Sequence, residues 1–525
     1  MAEKLQSLIF QAMSEAAFYP HRVEKLSQLE THISKVFLTG PFVYKIKKPV
    51  DLGFVDFRDL ERRHFFCRRE VELNRRLTEN VYLAVVPICY DGCKFQLEGS
   101  GRPVENAVKM RQLSADRTME NLLATAMIGQ DDLESLATVL ADFHEASPRR
   151  TNPEARSYLQ AACTQNFRQI MPLAGESLDA GRYDYVRAAT FNYFIRNKHL
   201  LEKRIAAGRF RHAHGDLRAE HIYLMEDGLI QILDCIEFNE RLQVMDVASD
   251  LAFLIMDLEY RQASQCAREL LKAYYRHSDD TGLPGMMDFY KCYRAMVRCK
   301  VNCILLSGPD SDQGRRKASL THARGYLKLA HFYARRFNRP TLWVFCGLPA
   351  SGKSALASRL AELMAIEVYN SDRIRKNMHG IDPMRQIDGP VDDGIYAPEI
   401  STQVYDRLRV EAARSIHAGC SVALDATYAS SSHRRKLSRM AAGCGARILF
   451  VECRAPDEVM RHRLNQRREG LSVSDARIAH FEILRARFET LDDILPEQHV
   501  VLDTRKTADS CLRDLLEAAY LDGIE

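Results

Sequence analysis

A chain of 525 residues with 46% hydrophobic and 27% charged residues has an ordinary globular balance and is too long for one domain. Its net charge of +4 is small for that size, so charge gives no argument for a nucleic-acid or membrane-surface binder. No apolar run reaches the roughly 18–20 residues that span a bilayer, the first residues hold no apolar leader core, and the fourteen cysteines include no CxxC, so a cytoplasmic chain with reduced, mostly buried thiols is expected.

Residues 4–18 place Leu5, Leu8, Ile9, Ala12, Met13 and Ala16 on one helical face. Residues 31–50, THISKVFLTGPFVYKIKKPV, predict two strands around the turn Thr39-Gly40-Pro41, followed by a basic amphipathic helix over 59–77. VYLAVVPICY and KFQLEG read as further strands, and AVKMRQL at 107–113 as an extended connector. Apolar spacings of three and four predict helices over 131–147, 153–172 and 182–207. EDGLIQILD at 226–234 is a turn and a short apolar strand ending in Asp234, and helices follow over 246–277 and 284–336. Beyond Asn338-Arg339-Pro340 strands and helices alternate, which argues for a parallel sheet with crossover helices. The expected organisation is two domains, 1–337 of mixed α+β character and 338–525 of α/β class.

The second domain opens on GLPASGKS, from Gly347 through Leu348, Pro349, Ala350, Ser351 and Gly352 to Lys353 and Ser354. It follows an apolar strand and opens a helix, the context of a phosphate loop. Its backbone N–H groups would surround phosphate oxygens at a helix N-terminus, Lys353 would reach the β- and γ-phosphates, and Ser354 would ligate Mg²⁺. NSDRIRK sets Asp372 and Arg375 at the carboxyl edge of the sheet, where open α/β folds bind ligands. SVALDAT ends in Asp425, suited to the Mg²⁺ shell or to substrate; either acid could equally serve as a helix N-cap. Arg461, Arg463, Arg467 and Arg468 in MRHRLNQRREG are either a cluster that closes over phosphate or a solvated basic face. GLPASGKS, SDRIRK and LDATY with His433-Arg434 beyond resemble the P-loop kinases that include polynucleotide kinase, gluconate kinase and zeta-toxin-like kinases. That resemblance implies transfer from ATP to a hydroxyl, with Asp372 as general base, Arg375 as a catalytic or substrate residue, and Arg463 and Arg467 as lid arginines. The acceptor varies across that group.

The first domain carries a different set. A kinase-like cleft needs a strand lysine, a helix glutamate, a loop aspartate and a metal-binding aspartate, in that order. Lys45 in FVYKIK, with Lys47 competing, then Glu70, Asp216 in HGDLRAEH and Asp234 supply them. No G-x-G-x-x-G precedes Lys45, and His221 stands where kinase loops have Asn. Mg²⁺ prefers oxygen to imidazole, so Glu237 or Asn239 could supply the missing oxygen, or His221 could donate to phosphate, or only pack. His212 and His214 form an H-x-H pair, either a metal site or, as expected, a structural feature through His214; Arg294 and Arg298 either line an acceptor pocket or, as expected, form a charged helix face. HGDLRAEH, LDCIEFN, DVASDLAFL and the segment ETHISKVFLTGPFVYKIKKPVDLGF resemble the aminoglycoside phosphotransferase-like kinases, in a bacterial subgroup fused to a P-loop kinase. The resemblance implies a two-lobed protein-kinase-like fold over 1–337, ATP binding, Asp216 as base, and Asp234 with His221 at the metal position.

The expectation is therefore a two-module, ATP- and Mg²⁺-dependent phosphotransferase acting on a small-molecule hydroxyl. The competing readings are a nucleotide-sensing regulator with an inactive first domain, and a polynucleotide 5′-hydroxyl kinase, which the near-neutral charge disfavours. Neither the acceptor nor the oligomeric state is legible.

Overall fold

The computed structural model describes residues 2–51, 55–151, 154–307, 313–387, 390–466 and 474–522. They group into two compact units, Met1–Leu159 with Arg204–His277, and Gln160–Lys203 with Ser278–Glu525. The helices of 160–203 and 283–337 thus group with the residues after 337.

The first unit is built on a six-stranded antiparallel sheet in the order Ser27–Glu30, Ser34–Leu38, Phe42–Lys47, Arg102–Arg111, Tyr82–Tyr90, Phe95–Leu97. The hairpin at Thr39-Gly40-Pro41 forms as expected, with Gly40 at φ +97°, a conformation costly for other residues. One sheet face packs Phe37, Tyr44, Ile46, Val86 and Ile88 against Ile9 and Met13 of the helix Ala2–Met13. The other sets Val108, Met110 and Tyr82 against Cys67 and Val71 of the helix Leu60–Asn74, which brings Glu70 over the strand that carries Lys45. The segment read as a connector at 107–113 is instead the end of the strand Arg102–Arg111, paired on both sides. Its Glu105 and Asn106 are buried, and Glu105 is neutralised by Arg63 at 2.9 Å; that partner lies 42 residues away.

Several long helical stretches divide. Residues 182–207 form Ala180–Arg196 and Lys198–Ala206, and 246–277 form Val247–Tyr260 and Ser264–His277, separated at Gln262 with φ +66°. Val247–Tyr260 is buried nearly all round, and its acids Asp250 and Asp257 therefore need partners.

The second unit contains a five-stranded parallel sheet, ordered Glu367–Asn370, Val422–Asp425, Thr341–Cys346, Arg447–Arg454, His499–Asp503. Both faces are covered: Leu342, Val344, Val422 and Leu424 by Val404, Leu408 and Leu437 on one side, Trp343, Phe345, Ala423 and Leu449 by Leu356, Leu360 and Leu515 on the other. This is the α/β half of the expected fold class, and the antiparallel sheet with its helices is the α+β half. The sequence reading places only helix after RILFVEC; His499–Asp503 is an edge strand, with Val500 and Leu502 buried and Val501 exposed. Among the described residues no helix is long and apolar enough to cross a membrane.

Candidate functional site

In the first unit, Lys45 Nζ lies 2.9 Å from Glu70 Oε1 and 2.5 Å from Asp234 Oδ1. Burial opposes all three charges, but each is outweighed: Asp234 and Glu70 hold the ammonium protonated, and the lysines hold the Glu70 carboxyl low. At Asp234, Lys45 and then His221 overcome burial and keep the carboxyl well below the usual range. Asp234 sits at φ +68°, a left-handed conformation uncommon for a residue other than glycine. Its amide donates to the Tyr82 hydroxyl at 3.3 Å, and the next amide, Cys235, to Asn74 Oδ1 at 2.9 Å.

Lys47 also reaches Glu70, at 2.7 Å, but its other partner is Glu237, and it is fully buried. The two competing lysines thus separate: Lys45 faces Asp234, and Lys47 lies inside. Glu237 is taken by Lys47, and burial first, with Glu70 adding, raises its carboxyl. Asn239 caps the short helix Glu240–Gln243 by accepting from Arg241 N at 3.0 Å. Glu237 is thus engaged by Lys47, and Asn239 by the helix it caps.

The loop HGDLRAEH is held from beneath by the buried acids of Val247–Tyr260. Asp250 accepts from His214 N at 2.8 Å and Gly215 N at 2.9 Å, and Asp257 accepts from Ala219 N at 3.0 Å. A Cβ on Gly215 would lie 3.0 Å from the Leu242 carbonyl, at a φ of +89°. His214 Nε2 bonds the Leu233 carbonyl at 2.8 Å, joining the loop to the strand end before Asp234. His221 Nδ1 bonds the Asp216 carbonyl at 2.9 Å, and its Nε2 lies 3.9 Å from Asp234 Oδ2. The structure therefore brings Lys45, Glu70, Asp216, His221 and Asp234 together. It adds Arg218, which sequence reasoning passed over. Arg218 donates to both oxygens of Asp216, from Nε at 3.0 Å and Nη2 at 2.9 Å, and also pairs with Glu220.

In the second unit, the phosphate loop leaves the strand Thr341–Cys346 and enters the helix Lys353–Met364. Gly347 at φ +133°, Ala350 at +61° and Gly352 at +94° give the curl that turns successive amides inward. A Cβ on Gly347 would lie 2.6 Å from the Cys453 carbonyl. Lys353 Nζ folds back on the Leu348 carbonyl at 2.7 Å. The buried Ser351 hydroxyl has no hydrogen-bond partner among the described residues, which suits a loop shaped around a polar ligand. Ser354 is exposed at the first turn of the helix.

Asp425 ends its strand opposite Phe345, two residues before Gly347, and accepts from Asn370 Nδ2 at 2.7 Å. Asn370 also caps the helix Ser371–Met378, which presents Asp372 and Arg375 beside that carboxylate. Burial first, with Asp475 and Asp425 adding and Arg375 opposing, raises the Asp372 carboxyl. Arg375 Nε lies 4.0 Å from Asp372 Oδ1 and makes no hydrogen bond, while its Nη1 holds the Ile395 carbonyl at 3.0 Å and Ser401 Oγ at 3.1 Å. Arg463 is placed differently from the expectation. It donates to the carbonyls of Ala350 at 3.2 Å and Thr504 at 2.6 Å, so it braces the phosphate loop from its backbone side. Arg467 and Arg468 lie outside the described residues. Asp475, which sequence reasoning did not single out, is buried and gathers Lys376 at 3.0 Å, Tyr396 OH at 2.7 Å and Ile387 N at 3.1 Å.

A divalent cation with a nucleotide fits the second unit: Ser354 and Asp425 offer oxygen donors beside the phosphate loop. The first unit fits it less well, since the Asp234 carboxylate is paired with Lys45 at 2.5 Å and has the His221 imidazole at 3.9 Å. No cluster of three His, Cys, Asp or Glu residues poised as a ready-made metal site occurs among the described residues.

Residues 342–491 match the AAA domain family. Among solved structures, the chain is similar to the gluconokinase of Sinorhizobium meliloti 1021, at 18% identity over 34% of this chain and 91% of that one, with a TM-score of 0.26. It is also similar to wild-type aminoglycoside 2′-phosphotransferase-IIIa in its GDP complex, at 15% identity over 61% of this chain and 98% of that one, with a TM-score of 0.39. A longer relationship joins it to the uncharacterized protein Rv2004c of Mycobacterium tuberculosis: 30% identity over 453 residues, 86% of this chain and 88% of the relative. With that much of both chains aligned at that identity, the protein belongs to one family with Rv2004c.

Proposed function

We propose that the chain is an ATP-dependent phosphotransferase that moves the γ-phosphoryl of ATP to a hydroxyl of a small molecule, and that the phosphate-loop site performs the transfer. The reading rests above all on one juxtaposition: the GLPASGKS curl opens beside Asp425, and Asn370 ties that carboxylate to the helix carrying Asp372. In this reading the loop amides and Lys353 hold the phosphates, and Lys353 leaves the Leu348 carbonyl when they arrive. Ser354 and Asp425 would hold Mg²⁺, which would supply charge neutralisation on the phosphates. Asp372 accepts the acceptor's hydroxyl proton, and its raised carboxyl gives it more basicity than an exposed Asp. Arg375 orients the acceptor, and Arg463 keeps the loop in shape. Catalysis is positioning and charge stabilisation, with no covalent intermediate.

Lys45, Glu70, Asp216 and Asp234 form a second nucleotide site in this reading, with Asp216 as its base. One observation favours a different role for that unit: both oxygens of Asp216 are held by Arg218. With its base engaged and His221 at the metal position, the first unit would bind nucleotide and regulate without turning it over.

The test is ATP consumption and product formation by the full chain with a pool of small hydroxylic compounds, for wild type, Lys353→Ala and Asp216→Asn. Lys353→Ala is expected to cut turnover by about 10²-fold or more. Turnover intact in Lys353→Ala removes the assignment to the phosphate loop. If Asp216→Asn leaves all turnover intact while weakening the response to nucleotide, the regulatory reading of the first unit stands.

A further inference from the structure

The parallel sheet has a second opening at its other edge. Thr341, Glu367 and Arg447, the first residues of their strands, and Ser421, just before a fourth, border a cleft of about 1180 Å³. The phosphate loop leaves the far end of the strand that Thr341 begins, and none of its residues lines this cleft.

The charge in the cleft is unbalanced. Eight Lys and Arg side chains line it against two carboxylates. Both carboxylates are engaged: Asp288 takes Lys291 at 3.1 Å and Arg336 at 2.9 Å, and Glu367 accepts the Tyr369 hydroxyl at 2.6 Å. Some of the cations support the fold. Arg339 donates to the Gly445 and Ala446 carbonyls, both at 3.1 Å, and Arg447 to the Ala519 carbonyl at 2.7 Å. Lys328, Arg335 and Arg414 do not: they are exposed and make no hydrogen bond or ion pair among the described residues. Arg414 and Arg335 lie in the last turns of their helices, where a cation is favoured, yet that weak effect leaves their guanidinium donors open.

The crowding acts on the neighbours. Burial and then Arg182 and Arg335 hold the His331 imidazole below its ordinary range. Burial also lowers Arg447, with Arg336 and Arg339 adding to it and Tyr520 opposing. Like charges gathered in one concavity repel, and a multiply charged anion relieves that repulsion at each of them. Phe332, half exposed on the same wall, leaves an apolar face beside Arg336 at 5.6 Å.

We propose that this cleft is a binding site for a small polyphosphorylated compound, distinct from the phosphate-loop site, with Lys328, Arg335 and Arg414 as its phosphate contacts. The shared chemistry is a chain of phosphate groups. The proposal stands whether or not the phosphate loop performs transfer.

The experiment is calorimetric titration of the full chain with inorganic tripolyphosphate in a Lys353→Ala background, which weakens binding at the phosphate loop. It is run with and without Lys328→Gln, Arg335→Gln and Arg414→Gln combined. The expected result is salt-sensitive binding that survives Lys353→Ala and weakens at least ~10-fold in the combined variant. The three side chains are exposed, so the denaturation midpoint is expected to stay where it was, which separates lost binding from lost fold. Unchanged affinity in the combined variant, or no tripolyphosphate binding once Lys353 is gone, overturns the proposal.

Discussion

Arg218 holds both carboxylate oxygens of Asp216, in a two-point contact at 3.0 and 2.9 Å between residues only two apart. The arginine is nearly buried and its charge is reinforced by Asp216 and Glu220 against the cost of burial. The pair fixes the loop acid in one orientation and occupies one lone pair on each of its oxygens.

Removing the clamp is expected to cost stability and free the acid. Arg218→Gln should lower the stability of the first unit by about 2 kcal/mol, the worth of a charged, largely buried hydrogen-bonded pair. Urea denaturation followed by tryptophan-independent far-UV signal measures it. A midpoint equal to wild type would show that the pair contributes nothing.

Glu70 stands between two lysines, at 2.9 Å from Lys45 and 2.7 Å from Lys47. Glu70→Gln leaves buried positive charge uncompensated and should destabilise by about 3–5 kcal/mol. The pH dependence has a fixed sign. The folded-state carboxyl is depressed, so its stabilisation is complete above the ordinary Glu value of about 4.3 and is lost as pH falls through the lower folded value. Acid titration of stability should show a smaller loss in Glu70→Gln than in wild type, the remainder coming from other depressed carboxyls such as Asp234.

Asp372 is expected to behave in the opposite sense. Its carboxyl is raised by burial, so charging it costs stability as pH rises from the ordinary Asp value through the folded one. Asp372→Asn should therefore be more stable than wild type at neutral pH while losing transfer activity. The acid limb of the wild-type rate profile should fall above the ordinary Asp value. A variant that is less stable at neutral pH, or fully active, contradicts this assignment.

Gly347→Ala tests the curl of the phosphate loop. The added Cβ meets the Cys453 carbonyl at 2.6 Å, in a backbone conformation of φ +133°. Nucleotide affinity at that site should fall by about 10²-fold, since a shift of the loop disperses its amides. Equilibrium dialysis with ATP checks it.

What the sequence revealed follows from which interactions are local. GLPASGKS is a contiguous run whose function lies in its own backbone, so its place between strand and helix was readable. The order Lys45, Glu70, Asp216, Asp234 was also readable, because each acid or base is marked by its own strand or loop. Partners distant in the chain were not. Glu105 makes the strand Arg102–Arg111 look polar, and only Arg63, 42 residues earlier, explains its burial. Asp475 reads as an ordinary loop acid, yet it holds Lys376, Tyr396 and the Ile387 amide. Arg463 reads either as part of a phosphate-closing cluster or as a solvated basic face, whereas the fold aims it at two carbonyls. Asp250 and Asp257 could have been found: two acids seven residues apart in an otherwise apolar helix need buried donors, and the loop amides of HGDLRAEH supply them.

The most direct measurement is to incubate the full chain with ATP labelled at the γ-phosphoryl and a pool of small hydroxylic metabolites, then follow the label by mass spectrometry. The account expects label on an organic hydroxyl with wild-type protein and its loss with Lys353→Ala. Label that remains in ATP with wild type, or reaches product equally well with Lys353→Ala, would contradict it.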